Sequence, residues 1–206
     1  MSYIFNNPDI ILKLLWEHIV LAIGALLIAT VIAIPLGYYI HGKQKLTTVV
    51  LGILGTLYTI PSLVLMILLL PLFGLNATTV VVALVIYCQI ILVRNVIAGL
   101  DAIEPGIMEA AQGMGMTRAQ QFTQIQLPLI LPVLIAGMRL SVVVATAIAT
   151  VGAMFGAGGL GTLLFNGISQ GRFDKIISGS LTVSLLAIVF NLSLQYLEKR
   201  LGKPLS

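Results

Sequence analysis

The sequence predicts an all-α, polytopic membrane protein with about five transmembrane helices. Of its 206 residues, 59% are hydrophobic and only 9% charged. Soluble domains carry roughly 25% charge, so water cannot be the main solvent of this chain. The apolar residues also gather into runs of about twenty, the length that crosses a hydrocarbon core of roughly 30 Å. Between Lys45 and Arg94 there is no charged residue at all, a stretch too long for one crossing and suited to two. These spans use most of the length, which leaves one membrane domain over residues 1–206.

Residues 3–18, with Asp9, Lys13 and Glu17, read as an amphipathic segment on the membrane surface. They lack the basic start and small-residue cleavage site of a secretory signal, so the first apolar run is expected to stay in the protein. The first span is expected over residues 19–39, loosened at its end by Pro35 and Gly37 and followed by a short loop with His41, Lys43 and Lys45. The second, residues 49–70, is interrupted at Tyr58-Thr59-Ile60-Pro61-Ser62. Proline there kinks the helix and frees the carbonyl of Leu57, which Thr56, Thr59 and Ser62 are placed to help satisfy. The third span covers residues 77–93, the fourth residues 129–151 with Arg139 inside it, and the fifth residues 176–197, with a glycine-dense stretch between the last two. The net charge of +4 sits in scattered loops; it marks topology and carries no nucleic-acid signal. With the N-terminus outside, the inner segments hold Lys43, Lys45, Arg94, Arg118, Lys199, Arg200 and Lys203, against Lys13, Arg172 and Lys175 outside, as the positive-inside rule requires. The single cysteine, Cys88, excludes an internal disulfide and reads as a packing residue.

Residues 94–128 form the one long connection that does not read as membrane. Pro105 can open a helix at its first position, and Ile107, Met108, Ala110 and Ala111 give that helix an apolar face flanked by Glu109. Gly113 and Gly115 supply a reversal. Thr117 and Gln120 make a capping-box pattern that starts a second helix, with Ala119, Phe122 and Ile125 at helical spacing. The expectation is a helical hairpin on the cytoplasmic side, between spans three and four.

The spacing Glu109-Ala110-Ala111, Gly115, Ile125, Leu127-Pro128 resembles the cytoplasmic loop of bacterial ABC importer permeases. A wider resemblance covers nearly the whole chain. The strings YTIPSL at 58–63, LVRNVIAGLDAIEP at 92–105, EAAQGMGMTRAQQF at 109–122 and GAGGLG at 156–161 are similar to those of the importers for quaternary-amine osmoprotectants: glycine betaine, carnitine and choline. Methionine importer permeases share the five-span plan and a similar glycine string, and ergothioneine importers are close relatives, so both stay open as alternatives. The resemblance implies the type I ABC importer permease fold in a bacterial inner membrane. It also implies docking of an ATPase dimer through Glu109, Ala110, Ala111, Gly115, Ile125, Leu127 and Pro128. A second permease copy or paralogue, a separate extracytoplasmic binding protein and surrounding lipid complete the expected partners. ATP and magnesium would belong to the ATPase, with no cofactor and no enzymatic activity in this chain. Transport would proceed by alternating access, with selectivity residing in the binding protein.

Candidate pathway residues are Thr56, Thr59, Pro61, Ser62, Arg139 and Asn191. Gly52, Gly55, Thr56, Thr59 and Ser62 form a small and polar stripe leading into the proline break, and broken helices mark transport paths. Ser180, Ser184, Ala187, Asn191 and Gln195 share one face of the fifth span, which suits helix packing or a conduit lining. Arg139 is costly at mid-bilayer. It faces water, pairs with a partner helix, or snorkels because its helix starts deep in the cytoplasm. The Gly156–Gly161 cluster lacks the Lys-Ser or Lys-Thr of a phosphate loop and reads as tight backbone packing or an outer gate. An ion-coupled secondary transporter would be expected to carry intramembrane acids, which are missing here. An intramembrane protease would need a base near a nucleophile, whereas His18 and His41 lie at membrane edges.

Overall fold

The computed structural model describes residues 2–201, which are helices and short connections, with no strand among the described residues. A one-turn helix α1 (Ser2–Asn6) precedes α2 (Pro8–Ile40), which opens with Pro8 where a missing N–H costs nothing. At 1.5 Å per residue, its 33 residues extend about 50 Å. The expected surface segment at residues 3–18 is therefore largely the first part of the spanning helix. No glycine or proline separates Asp9 from Ile19, so nothing stops the helix once it has begun. The outermost turns must protrude beyond the hydrocarbon.

The stretch expected to make the second crossing is broken rather than kinked. Helix α3 (Gln44–Thr59) and helix α4 (Ser62–Phe73) meet at 100°. Ile60 and Pro61 between them are extended, with ψ of 127° and 136°. Proline biases the residue before it away from the helical region, so Ile60 leaves the helix and α3 ends. The Leu57 carbonyl is taken up by the Ile60 N–H at 3.3 Å and not by a threonine hydroxyl. Thr59 bonds Thr56 and Thr56 bonds Gly52 instead.

Helix α5 (Ala77–Asp101) follows, capped by Asn76, whose side chain accepts from the Thr78 N–H at 2.8 Å. It runs past the expected end at Val93, so Arg94 lies inside a helix and not in a loop. Lys203, the last of the expected inner charges, lies outside the described residues. The hairpin is α6 (Pro105–Gly113) and α7 (Arg118–Gln120), and α7 passes through a π-helical turn (Gln121–Gln126) into α8 (Leu127–Gly152). Beyond α8 come a 3₁₀ turn (Ala153–Phe155), α9 (Gly161–Ser169), which the sequence reading treated as glycine-rich loop, and α10 (Phe173–Leu201).

Helices α5 and α8 form the centre, antiparallel and close. A Cβ at Gly99 would come 2.9 Å from the Ile130 side chain, and one at Gly137 2.8 Å from that of Asn95. Glycine at these points lets the backbones approach, the usual device where lipid removes any hydrophobic drive between helices. The main core joins Ala22, Ala25 and Ala29 of α2 to Val80, Leu84 and Cys88 of α5 and to Val142 and Ala145 of α8. Helix α3 buries no residue and α10 few. Both present apolar side chains outward, among them Val49, Ile53, Leu185 and Leu192.

Candidate functional site

At one end of the bundle the hairpin stands on a defined turn. Gly115 has φ of +76°, a conformation that only glycine adopts without strain. The Met116 N–H reaches the Ala111 carbonyl at 3.1 Å and the Gly115 N–H reaches Gln112 at 2.9 Å, the paired bonds of a Schellman cap. Of the two glycines expected to make the reversal, Gly115 makes it; Gly113 is the last helical residue. The spacing from Ala111 to Gly115 is thus the spacing from the carbonyl that closes the outer bond of the cap to the left-handed residue itself. The Thr117–Gln120 capping box forms as expected, with the Thr117 N–H on the Gln120 side chain at 2.8 Å and the Gln120 N–H on the Thr117 hydroxyl at 3.3 Å.

Pro128 does not open a separate span. The Leu127 N–H bonds the Phe122 carbonyl five residues back, a π-type widening that makes room where the proline ring would meet a carbonyl. Arg118 to Phe155 is consequently one continuous helix of 38 residues. The Phe122 ring lies 4.5 Å from that of Tyr38 on α2, which ties the arm to the bundle. Of the seven motif residues, Glu109, Ala110, Gly115 and Pro128 are exposed, Ile125 and Leu127 are half-buried, and Ala111 is fully buried. Leu127 packs against Val96, Leu100, Ile130 and Leu134. The buried members hold the hairpin's shape, while Glu109, Ile107 and Met114 supply its outer surface.

The α3 break opens onto two clefts. One, of about 560 Å³, is lined by Gly55, Thr56, Tyr58 and Thr59 of α3 with Ile90, Ile91 and Arg94 of α5. The other, of about 610 Å³, runs from Tyr58 and Ile91 across α8 to Ala187 and Asn191 of α10. Tyr58 and Ile91 belong to both, so the clefts adjoin. Thr56 and Thr59 line the first cleft and Asn191 lines the second. Of the α10 stripe, Ser180 and Ser184 are exposed and Ala187, Asn191 and Gln195 half-buried, while Ser178 and Gly179 pack inward, Gly179 against Leu163 and Leu164 of α9. Pro61 and Ser62 line neither cleft; Pro61 acts by ending α3. Tyr58 and Arg94 were missed because an aromatic and a cation within apolar runs carry no periodic signal of their own.

Arg139 lines neither cleft. Its Nε lies 3.3 Å from Glu198 Oε2, close enough for an ion pair though not aligned as a hydrogen bond, with about a quarter of each side chain exposed. Glu198 is in the last turn of α10, so Arg139 sits level with that helix end and not at mid-bundle. Of the alternatives for Arg139, pairing with another helix is the arrangement the structure shows.

At the other end, the glycine-rich segment folds onto α2. Gly156, Gly158 and Gly159 all have positive φ. The Gly159 N–H donates to Glu17 at 2.9 Å, and a Cβ on Gly159 would come 3.0 Å from the ring of fully buried His18. His18 Nε2 lies 3.1 Å from the Thr146 carbonyl. Of the two readings of this cluster, tight backbone packing is what the loop displays.

A broken apolar helix pair, a central glycine-packed pair and a continuous helix of 38 residues from hairpin to far end define a polytopic helical membrane protein. The chain belongs to the family described as the binding-protein-dependent transport system inner membrane component, which matches residues 25–203. It is 38% identical over 203 residues to the osmoprotectant import permease protein OsmW of Salmonella typhimurium, covering 96% of this chain and 94% of that protein. It is 32% identical to the carnitine transport permease protein OpuCB of Listeria monocytogenes (98% and 92% covered). To the choline transport system permease protein OpuBB of Bacillus subtilis it is 31% identical (98% and 93%). Its fold matches a chain of the MetNI methionine ABC transporter in an inward-facing form, with a TM-score of 0.83 over 94% of this chain and 97% of the other at 20% identity. The protein is therefore an ABC importer permease subunit of the inner membrane.

Proposed function

We propose that this permease carries quaternary-amine osmoprotectants, of the class of glycine betaine, carnitine and choline, and that it docks a separate ATPase through the α6 hairpin. The substrate reading rests on relatives named for osmoprotectant, carnitine and choline transport, each aligned over nearly the full chain. The docking reading rests on the Schellman-capped hairpin, which presents Glu109, Ile107 and Met114 at the end of the bundle. In this reading the hairpin end is cytoplasmic and the glycine-loop end faces outward, where a binding protein delivers solute. ATP and magnesium act on the ATPase. The hairpin's second arm is continuous with α8, so a pull on it would move a helix that lines the clefts. A second permease, identical or a paralogue, packs against the outward apolar faces that lipid does not cover. Residues 1–206 then serve as one transmembrane domain.

The test is reconstitution of the permease with its ATPase and binding protein in liposomes, followed by uptake of labelled glycine betaine, carnitine and choline. ATP-dependent uptake of at least one, with methionine and ergothioneine excluded, is the expected result. Uptake of methionine alone would refute the substrate reading while leaving the permease assignment in place.

A further inference from the structure

We infer that the adjoining clefts between α3, α5, α8 and α10 are a transit site for a zwitterionic quaternary ammonium solute. Arg94 receives the carboxylate and the face of Tyr58 receives the ammonium. This deepens the proposed function and rests on its substrate class.

Arg94 projects from α5 into the first cleft and is exposed there, one helical turn from Ile91. No acid lines either cleft, and Arg94 makes no ion pair with any described residue. The contrast with Arg139 is direct: at the corresponding level of α8, that arginine has its own carboxylate in Glu198. A guanidinium left without a protein partner favours an incoming anion, and its planar fork suits a carboxylate. Tyr58 supplies the second requirement. It is 40% exposed, belongs to both clefts, and is held edge-on by Tyr87 with ring centroids 5.6 Å apart. An aromatic face attracts a quaternary ammonium group without any hydrogen-bond donor on the ligand. Thr56 and Thr59 spend their hydroxyl protons on backbone carbonyls of their own helix. They shape the wall without competing for the solute. A single aromatic face in place of a closed cage fits a site that must release what it binds. The cleft volumes, about 560 and 610 Å³, lie in the range of small-molecule sites, roughly 300–1,000 Å³.

The assignment makes Arg94 a discriminator: glycine betaine carries a carboxylate and choline does not. In the reconstituted importer, Arg94→Gln is expected to lower the ratio of betaine to choline uptake about tenfold, the worth of one charge-assisted contact. Arg94→Lys should recover part of that ratio. Tyr58→Leu should lower uptake of both solutes about tenfold, and Tyr58→Phe should retain both. If the wild-type importer carries none of glycine betaine, carnitine and choline, the substrate reading falls and the site with it. If it carries betaine and choline and Arg94→Gln leaves their ratio unchanged, the site assignment falls alone. An equal loss of both solutes, restored by Arg94→Lys, would assign Arg94 to lipid phosphate and overturn the inference.

Discussion

The Tyr87 hydroxyl on α5 donates a hydrogen bond to the carbonyl of Ile60, the residue at which the second crossing breaks. Proline ends α3, but the orphaned carbonyl left at the bend is satisfied from another helix. In lipid such a group cannot turn to water. The bend is therefore a joint held by two elements, and its stability can be measured.

Tyr87→Phe should destabilise the protein by about 1–3 kcal/mol, the cost of an unsatisfied buried acceptor, read as a lowered unfolding midpoint in detergent. Pro61→Ala alone should keep most of the bend, because Ile60 retains its partner. The double variant should straighten it. Spin labels at exposed residues 49 and 68 on a Cys88→Ser background would report the distance. A straight helix in Pro61→Ala alone would show that proline is the sole cause.

Gly115→Ala should weaken ATPase association, since a side chain at positive φ costs roughly 1 kcal/mol and loosens the cap. Gly113→Ala, at a helical position with nothing within 4 Å of the added atom, should leave association intact. Glu109→Lys should abolish association with no change in unfolding midpoint. Equal binding of the ATPase by all three would dismiss the docking role.

Arg139 and Glu198 should behave as a unit. Glu198→Gln and Arg139→Gln should each cost about 1–2 kcal/mol, between exposed and buried pairs, and the reciprocal exchange should recover part of the loss. A double-mutant cycle on thermal unfolding gives the coupling. If Arg139→Gln instead changes solute preference with no coupling to Glu198, Arg139 belongs to the pathway.

Glu17→Ala should release the glycine-rich loop from α2, seen as faster amide exchange at Gly159 and its neighbours while exchange in α5 is unchanged. Glu17→Gln, which keeps an acceptor for the Gly159 N–H, should preserve protection. Unaltered exchange in Glu17→Ala would mean that glycine packing against His18 alone holds the loop.

Cysteines at residues 43 and 172, again with Cys88→Ser, test orientation. Residue 172 should react with an impermeant reagent from outside and residue 43 only from inside. The reverse pattern would turn the hairpin outward and end the docking proposal.

Composition alone determined that this chain is a helical membrane protein, because apolar runs of that length have no other stable home. Local chemistry determined the hairpin: the Gly115 turn and the Thr117–Gln120 box are made by neighbours in sequence, and both formed as their spacing demands. The family relationship was legible for the same reason, since its motif is a local turn with its flanks. What the tertiary structure decided depends on pairs far apart in the chain. The carbonyl at the Pro61 break finds its partner in Tyr87, 27 residues away. The place of Arg139 turned on Glu198. The end of α5 beyond Val93, and with it the cleft position of Arg94, turned on glycine-mediated packing against α8 that hydropathy does not register. A helix boundary read from polarity assumes that charges leave the membrane. Arg94 and Arg139 stay on their helices because a cleft in one case and a carboxylate in the other give them somewhere to be.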